Sequence, residues 1–326
     1  MGSGDNELLF GNDLERVLKP MPEYTVIING NAGVLIEEDQ ESVIDRIRGA
    51  FANEGVDVDI QVMTGDALGT AIAKAGESKT DRIIIGGGDG TVNAGARKAA
   101  ATGKILGILP MGTLNLYARD LGIPLDLEEA VHALIRGEVR HVDYAEINGN
   151  LYLCNSMLGI LPPLMEQREK LRGASALQRY GSLLRMIARI LQRNPRFYIK
   201  MHMEGKTREM KVRGVIVCNN EYHDAHSLFP HPTPLDAGKL TVYLTRDPTR
   251  RGVLMIALRV FLGTWQKEHD IQEYATTRVV ISTRRKQVST VTDGEILKLK
   301  PPLTYQIIPR GLRVMMPVET VKRLNE

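Results

Sequence analysis

The chain has 326 residues, a formal net charge of +3, 43% hydrophobic residues and 25% charged residues. This composition is typical of a globular protein with one large or two ordinary domains, and it excludes a disordered or fibrous chain. A charge this close to zero also argues against a dedicated nucleic-acid binder, which carries a strongly basic surface.

Two further features bound the class of protein. The first 20 residues lack a basic region followed by an apolar one, and the most apolar segment, 253–262, is interrupted by Arg259. We therefore predict neither a secretory signal nor a membrane span. The two cysteines, Cys154 and Cys218, lie in apolar runs and are too few for a disulfide framework. They are expected to be buried free thiols in a reducing compartment.

Residues 24–112 alternate between short apolar runs and segments with helical spacing. The runs YTVIING, VDVDIQVMT, DRIIIGGG and ILGILPMGT predict strands, and the segments between them predict amphipathic helices. Such alternation predicts a parallel sheet covered by helices on both faces. Ligands bind such sheets at the carboxyl ends of the strands. Small and polar residues follow the four strands here, which predicts one site: Asn29–Gly33, Thr64–Asp66, Gly86–Thr91 and Pro110–Asn115.

The pattern changes after about residue 140. Short β-branched runs separated by turns follow one another, and Asn148-Gly149 is a typical hairpin turn. We predict a second, antiparallel β-rich domain.

The loop GGGDG at 86–90 raises a question of chemistry. Its glycines let the backbone approach a phosphate, but Thr91 and Asn93 occupy positions where the Rossmann pattern needs glycine, and no Walker pattern is present. Asp89 would repel a polyphosphate unless a divalent cation lies between them, so the loop suggests a nucleoside triphosphate with Mg²⁺. The alternative is a tight strand-to-helix connection in which Asp89 or Thr91 caps the helix.

Several segments together resemble the diacylglycerol kinase catalytic family, which includes bacterial lipid kinases and the sphingosine and ceramide kinases. They are VIINGNAG at 26–33, GGGDGTVN at 86–93, PMGTLNLYARDLGIP at 110–124 and TDGE at 292–295, and the resemblance spans about 24–317. It implies an NAD kinase/diacylglycerol kinase-like α/β domain with a parallel sheet over 21–141 plus 312–326. An antiparallel β-sandwich-like lipid-acceptor domain is expected over 142–311.

The resemblance also implies an ATP- and Mg²⁺-dependent lipid kinase. The nucleotide would contact four loops of the first domain: Asn29, Gly30, Asn31, Ala32, Gly33, Thr64, Gly87, Gly88, Asp89, Gly90, Thr91, Val92, Asn93, Thr113 and Asn115. The family's Asp-Gly-Glu motif reaches into the cleft, whereas a solitary Asp293-Gly294 indicates only a hairpin turn. Phosphoryl transfer to an alcohol needs a base and cations. We expect Glu295 to be the base, with Asp293 as its rival, and Asp89 and Glu295 to organise Mg²⁺.

Three positions depart from the family pattern. Leu116 replaces an aspartate that many bacterial members have, and Ala237 and Thr241 replace acids tied to a structural Mg²⁺ in some members. We therefore expect that structural metal site to be missing.

The partners are predicted from a sequence pattern and from the same resemblance. The segment 175–193 predicts a basic amphipathic helix, which fits either a membrane surface or a solvated domain face. A cytoplasmic protein at the membrane periphery is expected, with a lipid substrate and no nucleic acid, and a homodimer is left open. Two alternatives stand: an NAD kinase-like enzyme with a soluble acceptor, and a lipid- or nucleotide-binding protein that has lost catalysis.

Overall fold

The computed structural model describes residues 23–159, 197–221, 234–245 and 271–325. Their helices are α1 Gly33–Glu37, α2 Gln40–Asn53, α3 Gly65–Glu77, α4 Asp89–Thr102, α5 Leu116–Asp120, α6 Leu127–Ile135 and α7 Val318–Asn325. Within these ranges no helix has the length and apolar character that a bilayer crossing requires. The predicted basic helix at 175–193 lies outside the described residues.

The strands divide between the two halves of the chain. The first set is β1 Tyr24–Asn29, β2 Val58–Met63, β3 Arg82–Gly87, β4 Ile105–Pro110, β5 Glu138–Ile147, β6 Asn150–Tyr152, β7 Asn155–Gly159 and β8 Phe197–Met203. The second set is β9 Lys206–Val212, β10 Gly214–Cys218, β11 Leu240–Thr245, β12 Ile271–Thr276, β13 Arg278–Thr283, β14 Val288–Thr292, β15 Glu295–Leu299 and β16 Leu303–Met316.

The first four strands form a parallel sheet in the order β2-β1-β3-β4. Every residue of β4 is buried. Successive side chains of a strand point to opposite faces, so both faces of the sheet must be covered at this strand. The predicted α/β architecture is confirmed, and all four strands end at the same edge.

Strand β16 links this parallel sheet to antiparallel strands. Its second half pairs with β4 in parallel, and its first half pairs with β13 in antiparallel register. Strand β5 pairs with both halves of β16 in antiparallel register, and the register shifts between Ile308 and Leu312 of β16. The resulting ten-stranded sheet has the order β2-β1-β3-β4-β16-β13-β8-β9, and its other two strands branch from β16, with β5 paired to β16 and β6 paired to β5. The backbone is therefore continuously hydrogen-bonded from the parallel strands into the β-rich half.

A second sheet packs against the antiparallel half. It has six strands in the order β12-β11-β10-β7-β14-β15. One hydrophobic cluster contains Leu158 and Val215 from this sheet together with Ile199 and Ile281 from the other. The predicted β-sandwich-like part is therefore confirmed, with its own core separate from the larger α/β core.

Two hairpin turns expected from Asn-Gly and Asp-Gly are also confirmed. Asn148 and Gly149 have φ of 48° and 78°, and Asp293 and Gly294 have φ of 47° and 83°. Two successive positive φ angles characterise the turn that matches the twist of a two-residue hairpin. The second turn joins β14 to β15 and carries Asp293 and Glu295 to one end of the sandwich.

Candidate active site

The loops that follow the parallel strands meet at one edge of the sheet. Asn29 Nδ2 donates to Thr91 Oγ1 at 3.0 Å, which joins the loop after β1 to the start of α4. The amide of Gly30 donates to the carbonyl of Met63 at 2.9 Å. Val34 N donates to the carbonyl of Met111 at 3.4 Å. The predicted loop segments thus share one neighbourhood.

Close backbone approach explains the glycines in two of these loops. A Cβ at Gly112 would lie 2.5 Å from Gly88 Cα, so no other residue fits there without moving the GGGDG loop. Gly88 also occupies the N-cap position of α4, where no side chain caps the helix. The N-terminus of α4 therefore has no side-chain cap from its N-cap residue, and the helix dipole favours an anion there.

Asp89 begins α4, yet its side chain serves another helix. Its Oδ1 accepts from the amide of Leu116 at 2.7 Å, at the start of α5. Burial raises the pKa of the Asp89 carboxyl, and backbone amides around residue 116 oppose that shift. Neither helix-capping alternative for α4 is therefore what the structure has.

Asp293 is buried and surrounded by donors. Its carboxylate accepts from the amides of Leu153, Cys154 and Asn155 at 2.6, 2.9 and 3.1 Å. Asn93 Nδ2 of α4 donates a fourth bond at 2.9 Å. Burial raises the pKa of Asp293, and these N–H donors act in the opposite direction. The hairpin turn is thereby tied both to the start of β7 and to α4.

Glu295 is exposed and reaches the start of the same helix. A Cβ at Gly90 would lie 2.3 Å from Glu295 Oε1, so this carboxylate packs against the bare backbone of α4 one residue after Asp89. The two acidic loops, which lie more than 200 residues apart in the sequence, therefore meet at one helix N-terminus. Carboxylates beside phosphate oxygens are the donor set that Mg²⁺ prefers, so Asp89 and Glu295 fit a magnesium ion.

The other predicted contact residues divide into two groups. Asn93 and Asn115 are buried and have both ends of their side-chain amides occupied. Asn93 donates to Asp293 and accepts from Arg97 Nη2 at 3.1 Å, while Asn115 exchanges two 2.8 Å bonds with the backbone of Gly112. The two asparagines therefore shape the loops of the candidate site. The second group differs in exposure. Its exposed members are Asn31, Thr64 and Thr113, its buried members are Ala32, Gly87 and Val92, and its half-buried members are Gly30, Gly33, Gly88, Gly90 and Thr91.

Sequence reasoning missed a second buried acid. Asp120 ends α5 and is 8% exposed, and Cys154 Sγ donates to its Oδ2 at 3.4 Å. Burial raises the pKa of Asp120 well above its usual value, and the charges of Asp293 and Asp89 add to that shift. No local sequence pattern indicates this contact, because the two residues are 34 positions apart in the chain. Both cysteines are buried free thiols, as predicted.

The region of Ala237 and Thr241 is held by protein donors. Asp143 is buried, and its two oxygens accept from the amides of Gly238 and Arg310 at 2.6 and 2.7 Å. Asp236 pairs with the Arg310 guanidinium at 3.4 Å. The carboxylates left in this region are thus engaged by N–H groups, so the residues do not fit the structural Mg²⁺ of some family members. In the parts of the chain that the structure describes, no group of three or more His, Cys, Asp or Glu side chains could hold a metal.

Comparison with known families matches both halves of this architecture. Residues 23–147 match the diacylglycerol kinase catalytic domain, and residues 170–316 match the YegS C-terminal NAD kinase beta sandwich-like domain. Residues 23–147 thus belong to the diacylglycerol kinase catalytic domain family, and the β-rich half resembles the YegS C-terminal domain.

Curated relatives of this chain carry a lipid kinase name. Proteins named "probable lipid kinase YegS-like" from Yersinia enterocolitica and Yersinia pestis are each 33% identical to it, over 146 and 148 residues. The alignments cover 43% of this chain and 47% of each relative, so the chain spans about half the length of the curated relatives it matches.

Solved structures share the fold over most of this chain. The crystal structure of a diacylglycerol kinase from Bacillus anthracis str. Sterne has a TM-score of 0.70 and 24% identity, and the match covers 92% of this chain and 99% of that one. Yeast NADH kinase, crystallised with NADH, has a TM-score of 0.50 and 12% identity, with 95% and 88% covered. At these identities the likeness concerns the fold.

The buried side chain of Asp120 gives a prediction on stability. Because the folded state raises the pKa of Asp120, it holds the proton more tightly than the unfolded chain does. The free energy of unfolding then falls as pH rises above the unfolded pKa of about 3.9, by up to about 1.4 kcal/mol per pH unit until the folded pKa is reached. Asp120→Asn removes this dependence. We expect the free energy of unfolding of Asp120→Asn, relative to that of the wild type, to be higher at pH 7.5 than at pH 5, as measured by urea unfolding. An equal stability difference at the two pH values would contradict the prediction.

Proposed function

We propose that this protein is an ATP- and Mg²⁺-dependent kinase that transfers the γ-phosphoryl group to a lipid hydroxyl. The observation that carries the proposal is the contact of Glu295 with the backbone of Gly90, because it brings both acidic loops to the N-terminus of α4. Family membership supports a phosphotransferase. Positioning and charge neutralisation are the main requirements of phosphoryl transfer, and a helix N-terminus flanked by two carboxylates supplies both when the cation is bound.

Each group in the proposed site has a defined task. The N-terminus of α4 and the backbone of Gly87, Gly88 and Gly90 would bind phosphate oxygens. Asp89 and Glu295 would hold Mg²⁺, which neutralises the phosphate charge. Glu295 also accepts the proton of the attacking hydroxyl, since its carboxylate is exposed to the edge where the substrate would lie.

Asp293 is better suited to anchoring than to proton transfer. Four N–H donors already bind its carboxylate, and the residue is 5% exposed. A substrate hydroxyl would have to displace one of them in order to bond to it. We therefore assign the base to Glu295 and assign Asp293 to holding the hairpin in place.

The acceptor is proposed from the names of the relatives and from the family. A lipid alcohol such as diacylglycerol, a ceramide or a sphingoid base is consistent with both. An NAD-type soluble acceptor finds support only in the fold shared with yeast NADH kinase. Loss of catalysis is the other alternative, but Asp89, Asp293 and Glu295 are all retained and lie in one neighbourhood.

A lipid substrate implies that a cytoplasmic protein would work at a membrane surface. The helix predicted at 175–193 lies outside the described residues, but segment 160–196 leads directly into β8, where an exposed aromatic residue lies among cations. Tyr198 is 50% exposed, with Lys211 Nζ 4.9 Å and Arg284 Cζ 5.5 Å from its ring centroid. Arg285 and Lys286 follow in the exposed turn. An aromatic ring flanked by cations suits the headgroup region of an anionic membrane, so we include this cluster in the proposal.

Incubation with labelled ATP, Mg²⁺ and a panel of lipids and NAD tests the function. The wild type should label at least one lipid and leave NAD unlabelled. Glu295→Gln should lower kcat by about 10²–10⁴-fold, the usual contribution of a general base. Its affinity for ATP, measured by calorimetry, should stay close to that of the wild type. Bound ATP with label in no lipid would refute the kinase proposal, and label in NAD would favour the alternative.

Gly90 offers a test of the Glu295 contact. In Gly90→Ala the new methyl group would lie 2.3 Å from Glu295 Oε1, so the carboxylate must move. A displacement of about 1 Å can cost on the order of 10²-fold in rate, so kcat should fall by that order. Gly69→Ala in α3 is the matched control, because an added Cβ there meets no atom within 4 Å. Equal turnover in the two variants would remove the evidence that Glu295 works from this position.

Vesicle binding tests the membrane cluster. The double variant Lys211→Glu/Arg284→Glu should sediment with phosphatidylglycerol vesicles much less than the wild type does. Lys322→Glu/Arg323→Glu makes the same charge change at two exposed positions of α7 and should sediment like the wild type. If both double variants lose binding equally, total charge rather than the Tyr198 cluster governs attachment. If wild-type protein sediments equally with phosphatidylcholine vesicles, the electrostatic explanation is wrong.

A further inference from the structure

A buried acid and a buried thiol lie behind the candidate site. Asp120 ends α5 with 8% of its surface exposed, and Cys154 precedes β7 with 3% exposed. The Cys154 thiol donates to Asp120 Oδ2 at 3.4 Å. Neither residue belongs to the phosphate-binding loops, and neither has a task in the proposed chemistry.

Both residues nevertheless belong to elements that hold the acidic loops. Helix α5, which Asp120 ends, receives the Asp89 carboxylate at its other end through Leu116 N. The Cys154 amide donates to Asp293 Oδ1 at 2.9 Å and lies in the middle of the three amides that hold this carboxylate. The Asp120–Cys154 contact therefore joins the helix capped by Asp89 to the loop that holds the Asp293 hairpin.

The contact closes a ring of interactions. Starting from Asp89, the ring runs through α5 to Asp120, across to Cys154, on to Asp293 and along the turn to Glu295, whose carboxylate packs against Gly90 beside Asp89. A break behind the site would let the loop at 153–155 and the hairpin shift together relative to α4. Polar contacts in a buried ring of this kind restrict motion more than an exposed contact would.

Burial also determines which form of the acid suits the contact. An ionised carboxylate surrounded by protein and close to two other acids is unfavourable, and the raised pKa of Asp120 agrees with a protonated side chain. The hydroxyl of Tyr117 lies buried near the same groups and has no hydrogen-bond partner among the described residues. A neutral carboxylic acid has nearly the shape of a carboxamide, so asparagine can replace it in a purely geometric task.

We propose that Asp120 is a positioning residue for phosphoryl transfer, which acts through Cys154 on the loop that holds Asp293 and thereby sets the place of Glu295 against α4. This inference rests on the proposed kinase function. It assigns no proton transfer to Asp120. Asp120 fixes the distance between the two acidic loops, so its loss should impair the chemical step more than the binding of ATP.

Kinetics of substituted proteins provide the first test. Asp120→Ala should lower kcat by about 10-fold or more with KM for ATP within about twofold, since a small misplacement of a reacting group affects the rate. Asp120→Asn should restore kcat to within about threefold of the wild type by the same reasoning. Cys154→Ala should resemble Asp120→Ala, and the combined variant should be hardly worse than either, as expected for residues that act through one contact. Cys154→Ser, which keeps a donor, should retain most of the rate.

The matched control is Cys218, the other buried free thiol, which has no hydrogen bond to Asp120 among the described contacts. Cys218→Ala should leave kcat close to that of the wild type. If Cys218→Ala lowers kcat as much as Cys154→Ala, a general packing effect replaces the inference. If Asp120→Asn is as slow as Asp120→Ala, Asp120 transfers a proton and the positioning role is wrong.

Hydrogen exchange tests the contact without any kinase assay. The amides of Leu153, Cys154 and Asn155 should exchange about 10-fold faster in Asp120→Ala than in the wild type, because the loop opens more readily. Protection should persist in Asp120→Asn and Cys218→Ala. Unchanged protection in Asp120→Ala would overturn the inference whatever the lipid panel gives. Faster exchange in a protein that labels no lipid would leave the contact intact and refute only the kinase proposal.

Discussion

The arrangement of the candidate site depends on the buried carboxylate of Asp293. Its four N–H bonds tie a hairpin of the β-sandwich to the start of β7 and, through Asn93, to helix α4 of the parallel domain. Without such donors a buried carboxylate would be strongly unfavourable, so the turn, the loop and the helix must keep their mutual positions. Glu295, two residues further on, is delivered to Gly90 as a result.

Acidic residues are tolerated at this edge because backbone amides surround them. Asp89 receives the amide that begins α5, and Glu295 packs at the N-terminus of α4, where the helix dipole favours negative charge. The same amides and dipole would favour a polyphosphate. Two carboxylates and a polyphosphate repel one another unless a divalent cation lies among them, so the electrostatics of the edge agree with the proposed use of Mg²⁺.

Much of the fold and part of the candidate site could be predicted from the sequence. The strands, the helices and the Asp293-Gly294 hairpin turn follow from hydrophobic period and turn chemistry, which are local properties. The roles of Asn93 and Asp120 could not be predicted, because each depends on a partner distant in the chain. Asn93 bonds to a carboxylate 200 positions away, and Asp120 bonds to a thiol 34 positions away. Sequence alone also left Asp293 and Glu295 as rivals for one role.

Local patterns of residues were sufficient to predict the class of fold and the loops that meet at the sheet edge. Parallel strands place their carboxyl ends together whatever follows, so the order of strands and polar endings identifies these loops. Which acid is held by donors and which is exposed depends on tertiary contacts. That distinction rests on burial and on the number of N–H donors around each carboxylate, and both arise from segments that come together only when the β-sandwich packs against the end of the parallel sheet.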